Sequence, residues 1–459
     1  MKKLSAELFN IPLDEQRYLI YAPLRRAAFI GNAYTVNALK PERWETDLAS
    51  DAALLAFLRQ THIIDGQPET LPISTVSGEP LPTAITLLLT TACTLRCSYC
   101  YASAGETQVQ YMPLETAKRG IDFIAANAVK KNFIAEYTGR PLVNTLDVAY
   151  HGGGEPTAHW RVLTESFAYA QHKAAHLGLH VQGHLISNGV LRNEHIDWII
   201  ANISHMMVSF DGLPSIQDSQ RRTQNGRASS AAVMHTLQRF DAAQFPYTIR
   251  LTATEAYLAQ LPQAVAFIGA HFKPQCIQVE PAYPIGRGHT LPSAHTSRFI
   301  DAFRAARRIA KQWQITLDYS PARLDRLSNH FCGMTQDGFS LSAQGNVSAC
   351  YSCFAEDHNL AEVFFYGQPD KHSQGYVFNR AVLDKLRNWA LRHLDFCQDC
   401  FAQWHCAGDC YYNALNVNEP GQFSGSERCH ITRELIKDEL LSRITASGGR
   451  FWHQEVDNP

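Results

Sequence analysis

Between residue 84 and about residue 315, short apolar runs alternate with longer stretches in which apolar residues recur every three to four positions. The short runs are typical of buried parallel strands, and the longer period is typical of helices packed against them. The predicted strands are Ile85–Thr91, Thr145–Tyr150, Val181–Ser187, Met206–Phe210, Thr248–Thr252 and Ile277–Glu280. The predicted helices are Leu114–Val129, Arg161–His176, Glu194–Ala201, Ala231–Ala242, Leu258–His271 and Ser297–Trp313. This order predicts an α/β fold with parallel strands joined by right-handed crossovers.

The segments before and after this alternation differ from it. Near the start, Tyr18–Asn32 indicates two strands around a proline-containing turn, Thr46–Thr61 an amphipathic helix, and Ile64–Leu81 a linker. From about residue 331 the alternation stops, and short segments punctuated by Cys and Gly follow. We therefore predict three units: an N-terminal α+β unit over 1–80, an α/β core over 81–320 and a cysteine-rich unit over 321–459.

Composition narrows the class of protein. The 459 residues carry a formal net charge of -2 without a long charge run, so nothing indicates a nucleic-acid or anionic-membrane surface. The first residues lack the apolar region of a secretory signal, and no stretch approaches the ~18 apolar residues of a membrane span. We therefore expect a cytoplasmic protein. Twelve cysteines in a chain of this kind favour metal binding or catalysis over disulfides.

Three of these cysteines directly follow the first predicted strand. Cys93, Cys97 and Cys100 have the spacing C-x3-C-x2-C and lie on the loop at the carboxyl end of that strand. Parallel sheets place their chemistry on such loops. Three soft thiolates suit an iron–sulfur cluster with one iron left open, whereas structural zinc usually takes a closed set of four ligands.

This stretch resembles the cluster-binding signature of radical S-adenosylmethionine (SAM) enzymes, with Tyr99 at the aromatic position before the last cysteine. The resemblance implies a [4Fe–4S] cluster whose open iron binds the amino and carboxylate groups of SAM. It also implies that the α/β core is a partial (β/α)6 barrel, similar to a TIM barrel.

The loop after the second strand reads HGGGEP over residues 151–156. Its glycines allow close approach of the main chain to a ligand. An esterase oxyanion hole is the competing interpretation, but the chain has no G-x-S-x-G nucleophile motif. The loop resembles the GGE motif of radical SAM enzymes, which implies that Gly153, Gly154 and Glu155 contact the methionine amino group.

Two further loops resemble SAM-contacting segments of the same family. Ser187 and Asn188 follow the third strand and are similar to the ribose-contacting segment. After the fourth strand, Ser209 and Arg221 match a family motif in which Gln217 replaces the usual histidine. A guanidinium there can pair with the SAM carboxylate in a bidentate way, although a surface ion pair is the alternative. Glu280, at the end of the sixth strand, either faces the substrate or bonds to backbone.

A second set of cysteines lies in the last unit: Cys332, Cys350, Cys353, Cys397, Cys400, Cys406, Cys410 and Cys429. The unit resembles the SPASM domain of peptide-modifying radical SAM enzymes, which implies two auxiliary [4Fe–4S] clusters and three in all. One implied ligand set is Cys397, Cys400, Cys406 and Cys429. The other implied set is Cys332, Cys350 and Cys410, with Cys353 as the remaining thiol. If Cys353 is a ligand, the second cluster has four protein ligands, and if it is not, one iron of that cluster is open. A pair of zinc ribbons is the alternative.

The resemblance implies an enzyme that reductively cleaves SAM to a 5′-deoxyadenosyl radical, which abstracts hydrogen from its substrate. Our first hypothesis is oxidative modification or cross-linking of a ribosomally made peptide. The second is formylglycine formation on a protein Cys or Ser, as in anaerobic sulfatase maturases. A non-catalytic metal-binding module is the third, although it would not need the SAM loops. The expected partners are a precursor peptide or protein and a one-electron reductant of the flavodoxin or ferredoxin type, with no nucleic acid or membrane. Residues 1–80 are expected either to hold a leader peptide or to cap the barrel.

Overall fold

The computed structural model describes residues 6–106, 108–288, 293–391, 394–416 and 423–454. The N-terminal unit contains three strands and two helices: β1 (Phe9–Pro12), β2 (Arg17–Ala22), β3 (Ala27–Asn32), α1 (Ala33–Ala38) and α2 (Ala52–Gln60). The two strands predicted around a proline turn are β2 and β3, with Pro23 starting the turn between them. The predicted helix Thr46–Thr61 is divided, because Asp51 accepts a hydrogen bond from the backbone N–H of Leu54 and thereby begins α2 as a new helix.

The core contains nine strands and seven helices. The strands are β4 (Ala84–Leu87), β5 (Leu95–Cys97), β6 (Thr145–Tyr150), β7 (His180–Ser187), β8 (His205–Ser209), β9 (Arg221–Thr223), β10 (Tyr247–Ala253), β11 (Cys276–Pro281) and β12 (Thr316–Asp318). The helices are α3 (Leu114–Thr138), α4 (Trp160–His176), α5 (Asn193–Asn202), α6 (Pro214–Gln220), α7 (Ser230–Ala242), α8 (Leu261–His271) and α9 (Ser293–Gln312).

The six predicted core strands form a parallel sheet in the order β11-β10-β8-β7-β6-β4. Alternate residues are buried under the helices, as Leu146, Val148 and Tyr150 of β6 show, whereas the residues between them face the opposite side of the sheet. The first strand is shorter than predicted and ends at Leu87. A seventh parallel strand, β12, pairs with β11 and was not predicted.

The cysteine-rich unit contains five short strands and five helices. The strands are β13 (Ser340–Leu341), β14 (Val347–Ser348), β15 (Phe365–Pro369), β16 (Tyr376–Phe378) and β17 (Phe451–His453). The helices are α10 (Ala361–Phe364), α11 (Arg380–Asn388), α12 (Gln403–Cys406), α13 (Tyr411–Leu415) and α14 (Glu427–Ala446). Strand β13 pairs in parallel with β4, so that β13 to β16 extend the core sheet to eleven strands. The cysteine-rich unit is therefore continuous with the core.

The N-terminal sheet has the order β1-β2-β3-β17, so that its fourth strand comes from the end of the chain. One face carries Leu19 and Tyr21 against α14, and the other carries Ile20 and Phe29 against the unit's own helices. The Tyr21 hydroxyl lies 2.6 Å from Nε2 of His405, beside Cys406. The N-terminal unit thus packs against the cysteine-rich unit. Among the residues described, every helix is too short or too polar to cross a membrane.

Candidate active site

The loop with the first three cysteines is held by two neighbouring segments. Cys97 lies in β5, opposite Arg221 of the short antiparallel strand β9. Arg287, after β11, donates from Nε to the carbonyl oxygen of Cys97 at 2.9 Å and from its backbone N–H to that of Cys100 at 3.0 Å. Burial raises the pKa of Cys93 to about 12, and Glu155 and the thiols of Cys97 and Cys100 add to this rise. The structure therefore brings the three predicted cysteines into one group.

The GGE loop lies directly against the backbone that leads to Cys93. The backbone N–H of Gly154 donates to the carbonyl oxygen of Thr90 at 2.9 Å, and that of Glu155 donates to the carbonyl oxygen of Ala92 at 2.8 Å. A Cβ on Gly154 would lie 2.1 Å from the same Ala92 oxygen, so any side chain would force the two loops apart. The glycine is required here for the close approach of two backbones.

The carboxylate of Glu155 is already bonded within the protein. It is buried, and it accepts from the hydroxyl of Thr157 at 2.8 Å and from the backbone N–H of Asn188 at 2.7 Å. Burial raises its pKa, whereas these hydrogen bonds oppose the rise. Asn188 in turn donates to the hydroxyl of Thr94 at 3.0 Å. Glu155 and Asn188 therefore join the loops after β6 and β7 to the cysteine loop.

Arg221 is buried, so the alternative interpretation of this residue as part of a surface ion pair is wrong. Its Nε donates to the carboxylate of Asp211 at 3.1 Å, and the two side chains are 7% and 1% exposed. The guanidinium also lies 5.0 Å from the ring centre of Tyr99, whose hydroxyl donates to Asp211 at 2.5 Å. The predicted SAM contacts Tyr99 and Arg221 are thus positioned by one buried carboxylate.

The residue that replaces the family histidine is part of the same framework. Gln217 is fully buried, and its Oε1 accepts from the backbone N–H of Asp211 at 3.0 Å while its Nε2 donates to Ser229 at 3.1 Å. The amide therefore connects the loop after β8 to the start of α7. Its neutral side chain does this without a titratable group.

One cavity of about 320 Å³ lies at the carboxyl ends of the core strands and is bounded by the cysteine-rich unit. Cys97 and Cys100 line it on one side and Cys410 on the other. Ser209, Tyr99 and Arg221 also face it. The first cysteine group and part of the second thus border a single cavity.

Glu280 bonds to backbone, which was one of the two interpretations, and its side chain also borders the cavity. Its Oε1 accepts from the backbone N–H of Ser320 at 3.1 Å, and the side chain also lines the cavity. Its Oε2 accepts from the hydroxyl of Tyr283 at 2.8 Å and lies 3.4 Å from Nη1 of Arg428. Arg428 is itself paired with Asp409, with Nη2 2.8 Å from Oδ1. A buried network therefore runs from the cavity to the segment between Cys406 and Cys410.

The second set of cysteines falls into two groups. Cys406 is buried, and its pKa is raised first by burial and further by Asp409, Cys429, Cys397 and Cys400. The pKa of Cys410 is raised by burial and then by Cys350 and Cys332. The remaining thiol, Cys353, lies next to Cys350, and burial raises its pKa to about 12. This grouping corresponds to the two ligand sets that the family resemblance implied.

The residues around these groups suit anionic iron–sulfur clusters. All twelve cysteines are free thiols. Arg287 beside Cys97, and Arg323 beside Cys406 and Cys332, each have a buried Nη2 with no hydrogen-bond partner in the described residues. In those residues no three His, Cys, Asp or Glu side chains converge on the position of a single metal ion. A four-iron cluster instead takes its thiolates on separate irons. Cys276, at the start of β11, is half-buried and distant from these groups in sequence.

Sequence reasoning missed several residues that line or support the cavity. Arg428 and Asp409 each lie next to a cysteine in the sequence, and this position could have indicated that they lie near the site. Arg250 is a charged residue within a strand that was correctly predicted as buried. Arg287 follows Gly286, whose φ of +57° lets the backbone approach the cysteine loop.

Comparison with known proteins assigns the core. Residues 87–254 match the model of the Radical SAM superfamily. The sporulation killing factor maturation protein SkfB of Bacillus subtilis is 26% identical over 188 residues, which are 40% of this chain and 39% of SkfB. The chain thus spans about two fifths of the length of this relative. The matched domain is that of an enzyme class, and the predicted radical SAM domain is confirmed over residues 87–254.

Solved structures agree on the fold. The native protein anSMEcpe with bound AdoMet, that is SAM, has a TM-score of 0.63 at 14% identity and covers 80% of this chain and 99% of its own. It has also been solved with AdoMet and the Cp18Cys peptide. SuiB of Streptococcus suis bound to SAM has a TM-score of 0.51 at 12% identity and covers 92% of this chain and 99% of its own. The predicted α/β radical SAM fold with its cysteine-rich extension is therefore confirmed.

Proposed function

From the radical SAM domain formed by residues 87–254, we propose that this protein is a maturase that oxidatively modifies or cross-links a ribosomally made peptide. The observation that carries the proposal is the single cavity lined by Cys97 and Cys100 on one side and by Cys410 on the other. A substrate held there would lie between the SAM-cleaving centre and a second redox centre. This arrangement suits a reaction that removes two electrons in two steps.

The proposed cofactors are SAM and three [4Fe–4S] clusters. When bound, the first cluster in its reduced form cleaves SAM and so supplies a radical that abstracts hydrogen. Cys93, Cys97 and Cys100 would hold that cluster. The first auxiliary set would be Cys397, Cys400, Cys406 and Cys429, and the second Cys332, Cys350, Cys353 and Cys410. The Nη2 donors of Arg287 and Arg323, which have no partner in the described residues, support clusters in this chain, since each arginine lies near a cysteine group.

The chain's own residues would bind and orient the reactants. Glu155 and Asn188 fix the loops around SAM, because their hydrogen bonds join three strand ends. Asp211 fixes Tyr99 and Arg221 at the cavity wall. The Glu280–Arg428 pair closes the cavity toward the cysteine-rich unit, which keeps water away from a reactive radical.

The proposed substrate is a peptide. SkfB is named as a maturation protein for a killing factor, and anSMEcpe binds the Cp18Cys peptide in one of its structures. A one-electron donor of the flavodoxin or ferredoxin type would be the second partner.

We also propose that the N-terminal sheet holds part of the peptide. Strand β1 has one partner among the residues described, so its outer edge can add a further strand. Removing the N-terminal half of the substrate peptide should then weaken its binding without changing the mass of the product formed at saturating peptide. Equal affinity of the full and shortened peptides would contradict this role.

Mass spectrometry of the product tests the proposed function. The reconstituted enzyme is incubated with SAM, dithionite and the short peptide encoded beside its gene. Oxidative cross-linking would remove two electrons and two protons from the peptide, and SAM and an auxiliary cluster, when bound, would supply the electron acceptors. The expected product is therefore two hydrogens lighter, with fragmentation suppressed between the two linked residues. An aldehyde on a single Cys or Ser would show formylglycine formation instead, and an unchanged mass would reject both oxidations.

A further inference from the structure

Arg250 is a cation of the cavity wall that the reaction described so far does not use. It lies in the middle of β10, level with Ser209 of β8 and Gln278 of β11, and its half-buried side chain lines the cavity. Its guanidinium makes no hydrogen bond or ion pair with any other residue that the structure describes.

The groups that Arg250 faces do not neutralise it. Burial lowers the pKa of the His151 imidazole and of the Arg428 guanidinium and raises the pKa of the Tyr351 phenol, and the nearby charge of Arg250 acts to lower all three. Burial, and then Arg250, lowers the pKa of His151 to about 3, so this neighbour is uncharged at neutral pH.

The anions of the same wall already have partners. Glu280 is held by Tyr283, Ser320 and Arg428. Asp211, behind the wall, is bonded to Arg221. Among the described residues, Arg250 is thus the charged side chain of this wall that has no hydrogen bond or ion pair, and it is available to bind an anionic ligand.

A guanidinium inside a cavity is unfavourable unless an anion meets it, and its planar fork fits a carboxylate in a bidentate way. SAM and a peptide side chain can both supply a carboxylate. Arg250 faces Tyr351, which is adjacent to Cys350 of the second cysteine set, whereas Arg221 is the arginine beside Cys97. This placement favours the substrate over SAM.

We propose that Arg250 binds the carboxylate of an aspartate or glutamate side chain of the substrate peptide. The inference rests on the proposed peptide-modifying function and names the class of residue that enters the cavity. It predicts an acidic residue at or next to the site of modification.

The test measures binding without turnover. Two blocked pentapeptides, acetyl-GAEAG-amide and acetyl-GAQAG-amide, are dialysed against the reconstituted, SAM-loaded enzyme. The wild type should bind the glutamate peptide about ten-fold more tightly, as expected for a charge-assisted hydrogen bond. Arg250→Gln should abolish the preference, and Arg250→Lys, which keeps the charge but not the fork, should retain part of it. Arg161→Gln, at a side chain that is 77% exposed, should leave it unchanged.

Three outcomes would overturn the proposal. In the first, the wild type binds the two peptides equally or binds neither. In the second, Arg250→Gln keeps the preference for the glutamate peptide. In the third, Arg250→Gln lowers the affinity for SAM by the same factor as the affinity for the glutamate peptide, which assigns Arg250 to the SAM carboxylate. Failure of the proposed function is a separate result. The Arg250-dependent preference would then persist while no peptide gained or lost mass.

Discussion

At the scale of single residues, Asp211 gathers four donors around one buried carboxylate at this site. The hydroxyl of Tyr99, the Nε2 of Gln220 and the Nε of Arg221 donate to its Oδ2, and the backbone N–H of Thr252 donates to its Oδ1. The positive charge of Arg221 is therefore compensated by the carboxylate of Asp211 within the wall of the cavity. Sequence reasoning placed Tyr99 and Arg221 at the site but did not find that Asp211 fixes both, because spacing along the chain does not show which side chain faces which.

We expect Asp211→Asn to lower the free energy of unfolding by about 3 kcal/mol, because it leaves a buried arginine without a counter-charge. Arg221→Met should cost a similar amount, and the double variant should cost less than the two single changes added together. Chemical denaturation of the three variants measures this coupling. Glu165→Gln, which breaks an exposed pair with Arg161 at 4.0 Å, is the control and should change stability by less than about 1 kcal/mol. Strict additivity would show that Asp211 and Arg221 act independently.

At the scale of elements, the site is built where strand ends meet. The positions of the six core strands were predicted, since their short apolar runs alternate regularly with stretches of helical period. Strand β12 was not, because Thr316–Asp318 is only three residues long. The pairing of β13 with β4 was missed for another reason: two-residue strands carry no period, and their partner lies about 250 residues away in the sequence. Local pattern therefore predicted the core sheet but not its continuation into the cysteine-rich unit.

Gly154→Ala tests the close approach of the loops after β4 and β6. The new Cβ would meet the carbonyl oxygen of Ala92, so the loop that carries Cys93 has to move. We expect the affinity for SAM to fall by at least about ten-fold, or about 1.4 kcal/mol, as measured by equilibrium dialysis of the reconstituted enzyme. Gly375→Ala is the matched control, because its nearest neighbour would be the flexible Ser373 hydroxyl at 3.3 Å. If both variants bound SAM as the wild type does, the loops would not define the SAM site.

At the scale of the whole molecule, the proposed clusters lie in separate parts of one chain. The first group follows β4, and the other two occupy the cysteine-rich unit that continues the same sheet. The sequence predicted both groups from spacing and family resemblance. That Cys97 and Cys100 lie across one cavity from Cys410 required the fold, because the packing of the third unit on the core has no signal in the sequence.

The reconstituted protein should contain about twelve irons per chain, as three four-iron clusters require. Changing Cys93, Cys97 and Cys100 together to alanine should leave about eight irons and abolish cleavage of SAM. Iron analysis and chromatography of 5′-deoxyadenosine measure the two effects. One or two zinc ions per chain in place of the eight remaining irons would contradict the auxiliary clusters, and continued SAM cleavage would contradict the assignment of the first group.

The pairing of β17 with β3 has a consequence for how the protein is made. Residues that lie more than four hundred positions apart, such as Phe29 and Phe451, are neighbours in the N-terminal sheet. On the ribosome, β3, which includes Phe29, therefore presents an unpaired edge until β17 has emerged. Contacts of such long range form slowly, and exposed strand edges favour aggregation. Assembly of the first sheet is thus a late event in biosynthesis, and a chaperone that covers β3 in the nascent chain would improve the yield of folded enzyme.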